Sequence, residues 1–374
     1  MKYCIKNFIA ILFVHFLFIA PSYGEAVDSP ENWIIEKIEC SGNEITACSI
    51  IENEIYLRAG DKVNEEQIEN AQLRLKTLGL FYDVQMSLQK GVIRGQVILV
   101  VQVQERSAHY MNLSGYSYKS NTASGIIGIG DRNLFGLGKR LEVDVERSFD
   151  QNRQSFNAMF EDPNIFGSSK YFSSVHLLYF KVDNDDIQYK SSILSIALGR
   201  RIFDFSYIKL IARGGLSEFS TSGVSNGEYK SLGEGVEYGW NTLDDLYFPT
   251  SGTTLAAGSY FSDIGARYYL SSSFINSLYK DYYLTLEGGL DLDKFDSDSA
   301  FNGTLSFRPA IAKYFTFHRQ GQRIPDKMKI FLGADAFNLP ATSSRIEFNG
   351  TLGVSYLIDS FGKIDFTVSF QDMR

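Results

Sequence analysis

The chain has 374 residues, 21% charged and 44% hydrophobic, which is too polar for a helical membrane protein and too apolar for a disordered one. A formal net charge of -8 leaves no basic surplus for phosphates and argues against a nucleic-acid partner. With 22 Tyr, 29 Phe and 32 Gly against 7 Pro, composition favours a mostly β protein with aromatics to spare for an interface.

Lys2 and Lys6 precede an apolar run from Phe8 to Ala20, followed by Pro21-Ser22-Tyr23-Gly24. A basic start, a short apolar stretch and small residues describe a secretory signal peptide over residues 1–24. A membrane span would need about 20 apolar residues. After Gly24 no apolar run is long enough to span as a helix, so the mature chain is expected to be exported, as a soluble protein or a membrane β-barrel.

Residues 33–106 read as a small mixed domain. Ile34, Ile35, Ile38 and Cys40 suggest a strand, closed by Ser41-Gly42-Asn43. Thr46 is expected to cap a first helix that turns Ile50, Ile51 and Ile55 inward and ends at Gly60. Asn64 and Gln67 form the pattern of a capping box, and Ile68, Ala71, Leu75 and Leu78 follow at helical spacing. Val84, Met86 and Leu88 alternate along a strand, as do Val97, Leu99, Val101 and Val103. Cys40 and Cys48 are candidates for a disulfide in an oxidising compartment, with separate buried thiols an equal alternative.

This strand-helix-helix-strand-strand order resembles a POTRA domain, the periplasmic module of the BamA/TamA outer-membrane superfamily. The matching residues are Ile38 through Asn43, Gly60-Asp61, Leu75 through Phe81, and Val103 through Arg106. The resemblance implies a sheet edge that receives unfolded polypeptide by strand addition, where unpaired backbone groups supply affinity with little demand on sequence. The edge strand at 81–89 is the expected place, with Asp83, Val84, Gln85, Met86 and Ser87 as the client-binding residues. The alternative is a domain that merely spaces or plugs a barrel.

Residues 107–374 hold short alternating segments separated by Gly, Asn, Asp and Ser. Leu141, Val143 and Val145 alternate with Arg140, Glu142, Asp144 and Glu146; Ile364, Phe366, Val368 and Phe370 alternate with Lys363, Asp365, Thr367 and Ser369. A soluble sandwich would bury the apolar face, whereas a membrane barrel turns it to lipid and keeps the charged face in a wet lumen. The charged face favours a transmembrane antiparallel β-barrel of roughly 12 to 16 strands, since spanning strands need about 9–11 residues each.

Three motifs extend the resemblance to roughly 34–370. Gly128 through Gly138 looks like the superfamily's early barrel segment, with Asn133, Leu134, Phe135 and Gly136 as a turn. Asp162 and Pro163 open the segment similar to its next turn. Phe248, Pro249 and Gly252 belong to a mid-barrel Phe-Pro-Thr-x-Gly hairpin. Two departures stand beside them. No Arg-Gly-Phe or Arg-Gly-Tyr, the lumen motif of active assembly and secretion members, lies between Phe301 and Arg374, which suggests a shortened barrel. Arg213-Gly214 is too early, and the terminal strand ends at Phe370 followed by Gln371-Asp372-Met373-Arg374.

Catalytic patterns are weak. Ser174 and His176 share one strand face, but no acid or oxyanion hole can be placed with them. The histidines are too scattered for a zinc site, and Asp183 through Asp186 lacks the glycine and glutamate of a calcium loop. No cofactor is expected. The resemblance implies an outer-membrane factor whose partners are the lipid bilayer and unfolded outer-membrane or secreted β-rich proteins, with periplasmic chaperones or lipoproteins as further candidates. Clients would pass a weak seam between segments near 108–120 and 361–370, with Ile364, Phe366, Val368 and Phe370 as the closing strand. The alternative is a passive pore or partner-specific secretion channel without insertase activity.

Overall fold

The computed structural model describes residues 33–371 apart from 119–122, 149–151, 184–186, 222–223, 264, 296–301, 320–321, 339–345 and 360. The leader expected at 1–24, the acidic residues 184–186 and the tail 372–374 lie outside the described residues.

The N-terminal part contains β1 (Trp33–Ser41), α1 (Cys48–Ile55), β2 (Lys62–Val63), α2 (Glu65–Thr77), β3 (Phe81–Lys90) and β4 (Gln96–Glu105). The sheet order is β2-β1-β4-β3, with β1 parallel to β4 and the other pairs antiparallel. Its core is Ile35, Ile51, Ile55, Leu75, Val84, Leu99 and Val101, brought to one side by helical and strand periodicity. Asn64 and Gln67 form the reciprocal capping box on α2. Cys40 and Cys48 are joined by a disulfide, tying β1 to the start of α1. Glu52 lies beside the two sulfurs, but a disulfide leaves no thiolate for a metal.

Two local expectations fail. Thr46 does not cap α1; the N-cap is Ala47 without a side-chain bond, and the buried Thr46 hydroxyl accepts instead from Asn133 Nδ2 at 2.8 Å. The helix also stops well before Gly60, at Tyr56 in the left-handed region. Its open C-terminal carbonyls are satisfied from outside, because Arg74 donates to the carbonyls of Glu54 and Ile55. A long-range guanidinium thus ends the helix where glycine would ordinarily do so.

The rest of the chain is a barrel. Its first strands are β5 (His109–Tyr118), β6 (Ala123–Leu134), β7 (Lys139–Ser148), β8 (Arg153–Asp162) and β9 (Tyr171–Asp183). The longest follow: β10 (Ile187–Phe203), β11 (Ser206–Thr221) and β12 (Val224–Asn241). Then come β13 (Gly252–Ser262), β14 (Gly265–Tyr279), β15 (Tyr282–Phe295), β16 (Asn302–Phe317), β17 (Asp326–Asn338), β18 (Ile346–Ile358) and β19 (Gly362–Gln371).

These fifteen strands close on themselves. Alternation places Ile127, Ile129, Val145, Leu210, Leu332 and Phe366 on the outside, each more than half exposed. The opposite parity lines the lumen with Glu142, Lys209, Glu237 and Arg308. Among the described residues no helix is long and apolar enough to cross a membrane. An apolar belt around a closed, hydrated barrel is the strand-based way of crossing one.

An odd strand count has a topological consequence. The first and last strands run in the same direction, so β19 meets β5 in parallel, from Gly362 opposite Met111 to Ser369 opposite Tyr118. Every other neighbouring pair in the barrel is antiparallel.

Candidate functional site

One edge of the small sheet is β3, which among the described residues pairs only with β4; the two-residue β2 forms the other. Its open side is partly filled from within. The Val84 N–H donates to Asp83 Oδ1 at 2.9 Å, and its carbonyl accepts from Gln72 Nε2 at 2.6 Å. Gln85 Nε2 in turn donates to Asp83 Oδ2. Backbone direction alternates along a strand, so Met86 and Leu88 share the outward sense of Val84. Among the described residues their outward groups have no strand partner. Of the five residues expected at this edge, Val84 is therefore closed, Met86 is open, and Asp83, Gln85 and Ser87 direct their backbone groups toward β4.

The small domain is docked across one end of the barrel. The turn after β6, closed by the Gly138 N–H donating to Asn133 Oδ1 at 2.8 Å, contacts it where the Gly136 carbonyl accepts from the Ala47 N–H at 3.0 Å. Leu134 ends β6, and Phe135, at φ 59°, projects into solvent. Gly136 is required here, since a Cβ would lie 2.3 Å from the Ile45 carbonyl oxygen. After β8, Asp162 binds Lys139 at 3.0 Å and accepts from Asn164 N, shaping the turn that carries Pro163. The same turn reaches α1, where Ser169 Oγ donates to the Asn53 carbonyl at 2.5 Å.

Two ion-pair clusters reinforce the contact. Glu54, on the apolar face of α1 and almost wholly buried, meets Arg201 at 3.0 Å, and Arg74 meets Asp204 at 2.8 Å. Burial pushes the Glu54 carboxyl up, against the pull of Arg201 and Arg74. In the second cluster Arg106 pairs with Asp245 at 2.7 Å, and Lys327 approaches Asp245 at 3.4 Å. Burial raises Asp245, but Arg106, Lys327 and the N–H groups of Tyr247 and Phe248 outweigh it and hold the carboxyl below its ordinary range.

Asp245 lies in the Phe-Pro-Thr-x-Gly loop. Phe248 is fully buried with its ring edge-on to Tyr314, and Tyr314 donates to the Pro249 carbonyl at 2.8 Å. Gly252, at φ 120°, ends the loop where a Cβ would meet the Thr242 carbonyl oxygen at 2.3 Å. The loop is thus a packed knot at the docked end. Sequence reading missed Glu54, Arg74 and Arg201, and marked Arg106 only as the end of the POTRA pattern. The available clue was Glu54, a charge among Ile50, Ile51 and Ile55 on an apolar helix face.

The lumen contains a cavity of about 1060 Å³. Its wall is cross-braced by Lys209–Glu237 at 2.7 Å, Arg267–Asp291 at 2.7 Å and Arg308–Glu287 at 3.3 Å. Arg308 also binds Asp335, in the Phe331–Asn338 segment, which forms most of β17. Arg213 points into the same cavity, donating to Ser195 Oγ over the Tyr260 ring. Ser174 and His176 both line it, but no hydrogen bond joins them among the described residues. Ser174 lies opposite Ala197 and His176 opposite Ser195.

At the seam, Ile364, Phe366 and Val368 face outward, as does Phe370; Phe366 is 60% exposed. Lys363 and Asp365 pair at 3.0 Å on the lumen side. The docked end is closed by the Ser107 N–H donating to Asp359 at 3.3 Å and the Met111 N–H donating to the Phe361 carbonyl at 2.6 Å.

Comparison with known proteins agrees with this geometry. The family model described as Surface antigen variable number repeat (POTRA) matches residues 34–106. Outer membrane protein assembly factor BamA from Neorickettsia risticii is 34% identical over 124 residues, 33% of this chain and 16% of that protein. The chain therefore matches well under a fifth of that relative's length. Among solved structures, CdiB from Escherichia coli superposes with a TM-score of 0.63 at 12% identity, covering 91% of this chain and 73% of that one. BamA from Haemophilus ducreyi lacking POTRA domains 1-3 gives 0.51 at 16% identity, with 91% and 81% covered. At such identities these structures speak for the fold alone. The chain carries a POTRA domain over residues 34–106, followed by a closed fifteen-stranded β-barrel.

Proposed function

We propose that this chain assembles or translocates β-rich polypeptides at the bacterial outer membrane, with the POTRA domain in the periplasm. The observation that carries the reading is the β19–β5 seam. It is the parallel pair in an otherwise antiparallel barrel and extends over eight positions, from Met111 to Tyr118. Parallel pairing is slightly weaker per residue, so this is where the wall opens at least cost. A client strand entering there in the opposite direction would make antiparallel ladders with both β19 and β5. The POTRA edge at Met86 and Leu88 receives the client by strand addition beforehand.

The test is folding of an unfolded outer-membrane protein in proteoliposomes containing the mature chain. Met86→Pro removes the open edge donor and is expected to weaken client binding about fivefold, the worth of roughly one hydrogen bond. Gln72→Ala frees the Val84 carbonyl and is expected to strengthen it. Unchanged folding in both variants would reject the edge, and no acceleration by the unmodified chain would reject the assembly reading.

A second reading is a passive pore or secretion channel, favoured by the lumen cavity of about 1060 Å³, into which Lys209, Glu237, Arg267 and Arg308 face. Steady single-channel conductance without client folding would select it. Chaperones and lipoproteins remain candidate partners through the exposed POTRA surface.

A further inference from the structure

Beside the seam, the outward face of the barrel carries a groove of about 360 Å³. The strand registers define its shape. One row of outward positions crosses β19, β5, β6 and β7 as Ile364, Leu113, Ile127 and Val145, an apolar ridge. The next row away from the docked domain is Phe366, Gly115, Gly125 and Arg147. The two central positions of that row have no side chain; the Phe366 ring covers Gly115, and at Gly125 the wall drops to bare backbone beside the Arg147 guanidinium. Ridge, ring and guanidinium make this a bounded groove.

Its two ends lie at different depths. Arg147 is the penultimate residue of β7, close to the polar rim, where Gln154 stands opposite it. Phe366 is in the middle of β19, and its ring leans over Gly115, 3.2 Å from where a Cβ would be. Strands in such barrels are tilted by about 35–45°, so a row of cross-strand neighbours runs obliquely through the membrane. The groove descends from a cation at the rim to an aromatic ring at mid-wall.

We infer that this groove seats one anionic phospholipid of the outer leaflet, its phosphate at Arg147 and one acyl chain over Gly125, against Ile127, Val145 and the Phe366 ring. The belt around it faces hydrocarbon, so an acyl chain is the chemistry available to fill an apolar groove there. Charge selects the headgroup: Arg147 has no carboxylate partner among the described residues, whereas Lys190, on the same rim, is paired with Glu218 at 3.5 Å. Since Phe366 belongs to the closing strand, a seated chain packs directly against the seam. The inference rests on the membrane placement of the barrel and not on its clients.

Native mass spectrometry of the full mature chain, released from nanodiscs of phosphatidylglycerol or phosphatidylcholine, tests it. One phosphatidylglycerol retained per chain is expected, with little phosphatidylcholine. Arg147→Gln is expected to reduce retention about fivefold, the effect of one cation at a charged membrane surface. Val145→Trp, which fills the groove, is expected to reduce it further. Lys190→Gln should leave it unchanged, and inorganic phosphate should not compete. Heat-modifiable gel mobility confirms that each variant is folded. Equal retention of the two lipids, equal loss in Arg147→Gln and Lys190→Gln, or displacement by inorganic phosphate would overturn the assignment.

Discussion

The two sides of the barrel are built differently. On the far side, β10, β11 and β12 have 17, 16 and 18 residues and pair in long antiparallel ladders. Around the seam, β5, β7, β8 and β19 have 10 residues each. The outward belt follows the same trend. On β10 it lies between Lys190 and Arg200, on β7 between Lys139 and Arg147, two residues fewer or roughly 7 Å along the strand. A shorter belt is met by thinning the bilayer beside it. On the proposed reading the far wall is the frame and the seam wall the part that opens.

Docking of the POTRA domain follows that division. The far wall is tied to it by the buried Glu54–Arg201 pair and by Arg74–Asp204, while the turn after β6, nearer the seam, meets it through neutral hydrogen bonds from Asn133 to Thr46 and from Ala47 to the Gly136 carbonyl. The largest effect is therefore expected on the frame. Arg201→Ala leaves Glu54 buried without its partner and should cost about 3–5 kcal/mol. Hydrogen exchange in α1 would report it. Arg200→Ala, one residue away on the outward face, should stay within about 0.5 kcal/mol.

Gly362 sharpens the contrast from the other side. It sits at φ 130°, and a Cβ would lie 1.9 Å from the Met111 carbonyl oxygen. Gly362→Ala should cost about 1–3 kcal/mol in local strain and raise exchange at the Met111 amide. In β11, a Cβ on Gly214 would meet only Leu232 at 4.0 Å, and Gly214→Ala should be near neutral.

The smallest effect concerns pH. Asp245 has a folded pKa below its unfolded value, so its contribution is present above the ordinary carboxylate range and is lost as pH falls through the folded value. Protection of the POTRA–barrel contact should weaken below about pH 4, and Asp245→Asn should flatten that acid limb. Glu54, raised by burial, works in the opposite direction and limits the net change.

Local features were legible in the sequence and long-range ones were not. The capping box at Asn64 and Gln67 needs four neighbouring residues, and the alternation of Leu141, Val143 and Val145 needs one strand. The motifs marked their turns. Thr46 was misread because its partner, Asn133, is 87 positions away. The end of α1 was misread for the same reason, since Arg74 and not Gly60 satisfies it. Strand parity, and with it the parallel seam, depends on counting every strand at once. No single segment encodes it.

The most direct test is to cross-link each wall in turn and assay client folding in proteoliposomes. Ser114→Cys with Asp365→Cys joins opposed residues across the seam. Ser191→Cys with Ser217→Cys joins β10 to β11, where the two hydroxyls are 2.9 Å apart. Folding should stop with the seam locked, recover on reduction, and persist with the far wall locked. Undiminished folding with the seam locked would contradict the account.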